Sequence, residues 1–146
     1  MEYIFEKVEN TTRFFKFGPI EVEEMEPVSG DINLQAIFKT VENHFPSHYF
    51  KDLKSVKIGN FEDLKSKNFS AVYDNGIFYI NNIQPDPKSI LNDVVHEFAH
   101  HLENIYTDFI YGDDSIVREF IKKRHELNFE LRSEGYWTDD YDFDNL

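Results

Sequence analysis

The sequence contains no cysteine, which excludes disulfides, thiol catalysis and thiolate metal sites. Any metal must therefore be held by histidine, aspartate or glutamate. Long apolar runs are missing too: none approaches the roughly 18 residues that a membrane-spanning helix needs. The first residues, Met1-Glu2-Tyr3-Ile4-Phe5-Glu6-Lys7, lack the apolar stretch of a secretory signal. Basic residues are few. Lys and Arg total 15 against 28 Asp and Glu, a formal net charge of −13. That charge repels phosphate backbones and anionic lipid surfaces, so nucleic-acid and membrane partners are not expected, while a basic peptide is permitted.

What is present fits one soluble globular domain. The 146 residues are 40% hydrophobic and 29% charged, in the range of folded proteins and short for two domains. With 15 Phe and 8 Tyr, bulky side chains for a core are plentiful.

The first 30 residues read as strand pieces: Arg13–Phe17, the turn pair Gly18-Pro19, then Ile20-Glu21-Val22 followed by Glu23, Glu24 and Glu26, read as solvated acid. Ser29-Gly30-Asp31 is expected to cap a helix from about Ile32 to His44, which Pro46 ends. A strand over Ser55–Ile58 and a helical turn within Phe61–Lys67 follow. Phe69–Tyr73 and Gly76–Ile80 then flank Asp74-Asn75-Gly76. Asn-Gly supplies the two positive φ angles of a type I′ turn, so a β-hairpin is expected. Gln84-Pro85-Asp86-Pro87 reads as a rigid spacer. Beyond it, Ile90, Leu91, Val94, Val95, Phe98, Leu102 and Ile105 recur at helical spacing and predict a helix from about Lys88 to Tyr106. A second helix is predicted from about Ile116 to Ser133, stopped by Gly135.

The chemistry lies in the first of these long helices, at His96-Glu97-Phe98-Ala99-His100, an HExxH. Residues four apart are one turn apart, so His96 and His100 share a face and can reach one tetrahedral Zn²⁺. Glu97 is placed to take a proton from water there as a general base. Glu103 and Tyr106 stand where the longer metzincin motif needs Gly and His, so that variant is excluded. His101 points about 100° away from the metal face and reads as a helix-surface or packing residue. His44 and His48 are separated by Pro46, which breaks the helix they would need to act together. The apolar strand Gly76, Ile77, Phe78, Tyr79, Ile80 sits just upstream of the helix. Zincin folds place there the edge strand that binds extended substrate by strand addition, so these residues are the candidate substrate-binding set.

The run Val95 to Glu103, the later Ser133-Glu134-Gly135 and the aromatic, acidic stretch with Tyr141 resemble the catalytic domain of anthrax lethal factor and the related Pro-Pro endopeptidases. They are also similar to lethal-factor-like peptidase domains in phage proteins. The resemblance spans roughly residues 76 to 146 and is carried mainly by the HExxH. It implies a zinc metalloendopeptidase of gluzincin type, with His96 and His100 as ligands, Glu97 as base and Tyr141 as oxyanion stabiliser. It implies a protein or peptide substrate, other phage proteins as partners, and a cytoplasmic or virion setting. The implied fold is α+β and zincin-like: a small sheet packed on the HExxH helix and a following helix. One such domain is expected over 1–146, as the N-terminal part of a longer protein, because the family's third ligand, a Glu past the tyrosine, falls beyond Leu146. Within the chain, Glu119 is the substitute metal ligand, nineteen residues after His100, a spacing used by other gluzincins; Glu130, Glu134 and Asp108 are weaker substitutes.

Two further readings stand beside the zinc endopeptidase. One is a catalytically degenerate zincin used for binding or structure, for example in a phage particle. The other is an antirepressor-type or toxin-type protease with one dedicated target. Tyr141 reads equally well as a core aromatic.

Overall fold

The structure, a computed structural model, describes residues 12–30, 32–106 and 115–133. It has a mixed α+β architecture: one five-stranded sheet and, among the described residues, four α-helices. The strands are β1 (Arg13–Phe17), β2 (Ile20–Glu24), β3 (Ser55–Gly59), β4 (Ala71–Asp74) and β5 (Ile77–Asn81). The helices are α1 (Leu34–His44), α2 (Glu62–Ser66), α3 (Pro87–Ile105) and α4 (Ser115–Ser133), with a 3₁₀ turn at Ser47–Phe50. No described helix is long and apolar enough to cross a membrane.

The sheet order is β1-β2-β3-β5-β4. β1 and β2 form an antiparallel hairpin, β2–β3 and β3–β5 are parallel, and β4 returns antiparallel to β5. The parallel crossover from β2 to β3 runs through α1, the length of connection such pairing requires. β4 and β5 meet at Asn75 (φ 54°) and Gly76 (φ 85°), the two left-handed residues of the expected turn. A Cβ on Gly76 would sit 3.1 Å from the Asp52 carbonyl oxygen, so this glycine also lets the turn lie against the 52–54 backbone.

Period-two alternation puts Phe17, Ile20, Val22, Val56, Ile58, Phe78 and Ile80 on one sheet face, where all are buried. Helix α3 lays Ile90, Leu91, Val94, Phe98 and Leu102 against them. Phe98 sits at the centre, with ring centroids 5.7, 5.0, 5.4 and 5.1 Å from Phe17, Phe45, Phe50 and Phe78, all near edge-to-face.

Several local expectations shift by a residue or more. Helix α1 begins at Leu34, not Ile32, because Asn33 is the cap: its side chain accepts from Ala36 N at 3.1 Å. Helix α3 opens with Pro87 at its first turn, and Asp86 caps it by accepting from Ser89 N at 2.8 Å. The acidic run after β1 is not simply solvated. Glu24 is buried, and Glu23 pairs with Lys57 at 2.8 Å across β2–β3.

Candidate metal centre

Helix α3 grades from wet to dry around its circumference. His96 and His100 are exposed, Glu97 is 4% exposed and His101 is fully buried. The order follows from 100° per residue: Glu97 lies between the histidine stripe and the core stripe of Val94, His101 and Phe98.

His96 Nε2 and His100 Nε2 lie 3.2 Å apart, with the rings 4.7 Å between centroids and nearly perpendicular. Two nitrogens at 2.0–2.1 Å from one ion, separated by a tetrahedral angle, are about 3.3–3.4 Å from each other. The pair therefore already has the spacing of two ligands on one cation. Partial desolvation, then the neighbouring His100, hold His96 below its ordinary pKa, which favours the neutral, ligating form. Among the described residues no third His, Asp or Glu joins the two.

Glu97 is raised to about 7, first by burial and then by the Asp93 carboxylate one turn earlier. Asp93 is itself raised to about 6 by burial, against the pull of two hydrogen bonds. Those bonds come from Ser70 Oγ at 2.7 Å and Gln84 Nε2 at 2.9 Å. Gln84 also donates to Asn81 O at 3.0 Å and accepts from Ser89 Oγ at 2.6 Å. Within the segment that reads as a rigid spacer, Gln84 alone is buried, and through Asp93 it joins the end of β5, the start of β4 and the first turns of α3. Sequence reasoning missed Gln84 and Asp93; a glutamine between a strand and a proline carries no periodic signal.

His101 is held from both ring nitrogens. Nε2 lies 2.8 Å from Lys51 O, which only accepts, so Nε2 carries the hydrogen. Nδ1 then accepts from Tyr73 Oη at 2.8 Å, and Tyr73 Oη accepts from Asn104 Nδ2 at 3.3 Å. This chain ties β4 to the helix beside the histidine pair. Of the surface and packing roles open to His101, the structure shows packing.

A cleft of about 590 Å³ opens between α3 and β4. His96, Glu97, His100 and Glu103 form its helix wall, and Phe69, Ala71 and Tyr73 its strand wall.

Two expectations are overturned. First, the strand holding Gly76, Ile77, Phe78, Tyr79 and Ile80 is not an edge. β5 is hydrogen-bonded to β3 on one side and β4 on the other, so it has no free backbone for strand addition. Gly76 belongs to the turn, and Phe78 and Ile80 are core. The edge strand beside the cleft is β4. Second, Glu119 does not join the histidine pair. Its Oε1 lies 3.3 Å from His48 Nε2, and its carboxylate, after burial, raises the Tyr49 hydroxyl. Glu130, also weighed as a ligand, lies 3.5 Å from His44 Nε2. Asp108, Glu134 and Tyr141 lie outside the described residues.

Comparison with family models, curated proteins and solved structures gives no match to this chain.

Proposed function

We propose that this protein is a zinc-dependent endopeptidase with a zincin-like arrangement of helix and edge strand. The observation that carries the reading is the 3.2 Å separation of His96 Nε2 and His100 Nε2 in a cleft wall that also holds Glu97. The likeness of the HExxH run to lethal-factor-like peptidases points the same way. His96 and His100 would hold the ion, with a third protein donor drawn from outside the described residues. Zinc bound there supplies Lewis acidity, which acidifies water and polarises a peptide carbonyl.

The chain's own groups do the rest. The Glu97 carboxylate takes a proton from the attacking water and returns it to the leaving amine nitrogen, so the proton count closes over one hydrolysis. Burial keeps that carboxylate dry and the Asp93 carboxylate repels its charge, and both make it a stronger proton acceptor. Substrate lies extended along β4. In the β4–β5 register, Asp74 opposite Ile77 closes the two-residue turn as a hydrogen-bonded pair, so Val72 opposite Tyr79 is the next such pair. The N–H and C=O groups of Ala71 and Tyr73 therefore point outward, and no described strand pairs with them.

Metal analysis after dialysis, alongside a peptide-hydrolysis assay, tests this. About one zinc per chain is expected. His100→Ala should lose both zinc and activity, because one nitrogen ligand cannot hold the ion. Glu97→Gln should keep zinc and lose activity by roughly a hundredfold to ten-thousandfold. A protein that folds, binds no zinc and cleaves nothing would instead be a binding or structural module on the same scaffold.

A further inference from the structure

The β4 edge has a second hollow on the opposite sheet face. A groove of about 480 Å³ lies between β4 and helix α2. Phe61, Leu64 and Tyr79 line it, and Phe69, Val72 and Tyr73 wall both this groove and the histidine cleft. The Phe61 and Tyr79 rings meet edge-to-face at 5.5 Å, which gives the groove a fixed aromatic floor. Phe69 and Val72 remain 55% and 36% exposed. Lys67, Asp63 and Asp74 stand at the rim.

These features are linked by strand geometry. A peptide added to the outward N–H and C=O groups of Ala71 and Tyr73 continues the sheet, so its side chains alternate between the two faces. Tyr73 points toward α3, where its hydroxyl meets His101, and Val72 points to the other face, opposite Tyr79. Side chains of the added strand must follow the same alternation. One set enters the cleft beside His96 and His100. The intervening set enters the groove over Val72, Leu64 and Tyr79.

We infer that this rear groove is a specificity subsite, and that the protein selects extended peptides with a large apolar or aromatic side chain next in sequence to the residue facing the histidines. The occupant is argued from the wall chemistry, which is aromatic and aliphatic with charge only at the rim, and from the continuity of groove and cleft through Phe69 and Val72. The bound side chain would cover those two exposed residues, as contiguous apolar surface beside a binding edge requires. The inference rests on the endopeptidase reading for the direction of the cleft. The groove itself needs only peptide addition to β4.

The test uses the full chain, zinc-loaded, and quenched fluorogenic peptides in which Phe, Leu, Ala, Glu or Lys is moved one position at a time. The expected result is a Phe-over-Ala preference in kcat/KM of roughly tenfold or more at alternate positions. Tyr79→Ser should bring that ratio close to one, leaving the ratios at the intervening positions in place. If Tyr79→Ser does not fold, Lys67→Glu at the exposed rim serves: it should shift tolerance at the same positions from Glu toward Lys. The same peptides, fluorescein-labelled, are also measured by anisotropy with the Glu97→Gln protein. Aromatic preference in binding without any cleavage by the native chain supports the groove and sinks the endopeptidase reading. Cleavage with no alternate-position preference, or a preference untouched by both variants, overturns the groove and leaves the endopeptidase reading standing. Absence of binding by every peptide overturns the groove outright.

Discussion

Asp93 offers a measurement that needs neither metal nor substrate. Its carboxyl is raised from 3.8 to about 6 by burial, although Ser70 and Gln84 both donate to it. A folded-state pKa above the unfolded value means that the native protein binds the extra proton between those two pH values. Stability from this group is therefore greatest in acid and falls as pH rises through about 6. The shift of about two units corresponds to roughly 3 kcal/mol withheld from folding at neutral pH. Asp93→Asn removes the charge and keeps the shape. The amide oxygen still accepts from Gln84 Nε2, and its NH₂ donates to Ser70 Oγ, which accepts as readily as it donates. The variant should thus be more stable than the native chain at neutral pH, by up to about 3 kcal/mol, and by only about 0.5 kcal/mol near pH 4. Urea unfolding of the metal-free protein at half-unit pH steps reads the difference directly. A difference that stays flat with pH, or a variant less stable at neutral than at acid pH relative to the native chain, would refute the assignment of Asp93 as a desolvated carboxylate.

Two other substitutions test the scaffold around the cleft. Gly76→Ala forces a side chain into a residue at φ 85° whose Cβ would lie 3.1 Å from Asp52 O, and should cost about 1–3 kcal/mol in chemical denaturation. Gly30→Ala, where a Cβ meets nothing within 4 Å, is the matched control and should be nearly silent. Tyr73→Phe takes the donor from buried His101 Nδ1 and the acceptor from Asn104, and should cost about 1–3 kcal/mol; a loss below about 0.5 kcal/mol would show that the hydroxyl does not tie β4 to α3.

What was legible in the sequence was local. The apolar period of α3, the one-turn spacing of His96 and His100 and the Asn75-Gly76 turn each depend on residues a few positions apart, and each is present in the structure. The position of β5 was not legible. An apolar strand after a hairpin turn reads alike whether it lies at an edge or inside a sheet, and here its parallel pairing with β3, residues 55–59, decided the matter. Glu119 failed for a related reason. Spacing from His100 fixes a residue's place on its own helix and says nothing of which neighbour that helix face meets; the neighbour is His48.

Placing the proposed base so close to the two proposed ligands sets a constraint that α3 meets by its rotation against the sheet. Were the helix turned by one residue toward solvent, Glu97 would be hydrated and an ordinary weak carboxylate base; turned the other way, His96 and His100 would lose the cleft. The seat of Phe98 among four aromatic rings holds the rotation at the middle of the motif, and the Tyr73–His101–Lys51 chain holds it just past the end. The anchoring residues Phe98 and His101 lie one each side of Ala99 and His100. The positional control of the candidate site thus resides in the buried residues of the same stretch, 96–101, that exposes its chemistry, and stability lost at Tyr73 should be accompanied by weaker zinc retention even though Tyr73 is not one of the proposed ligands.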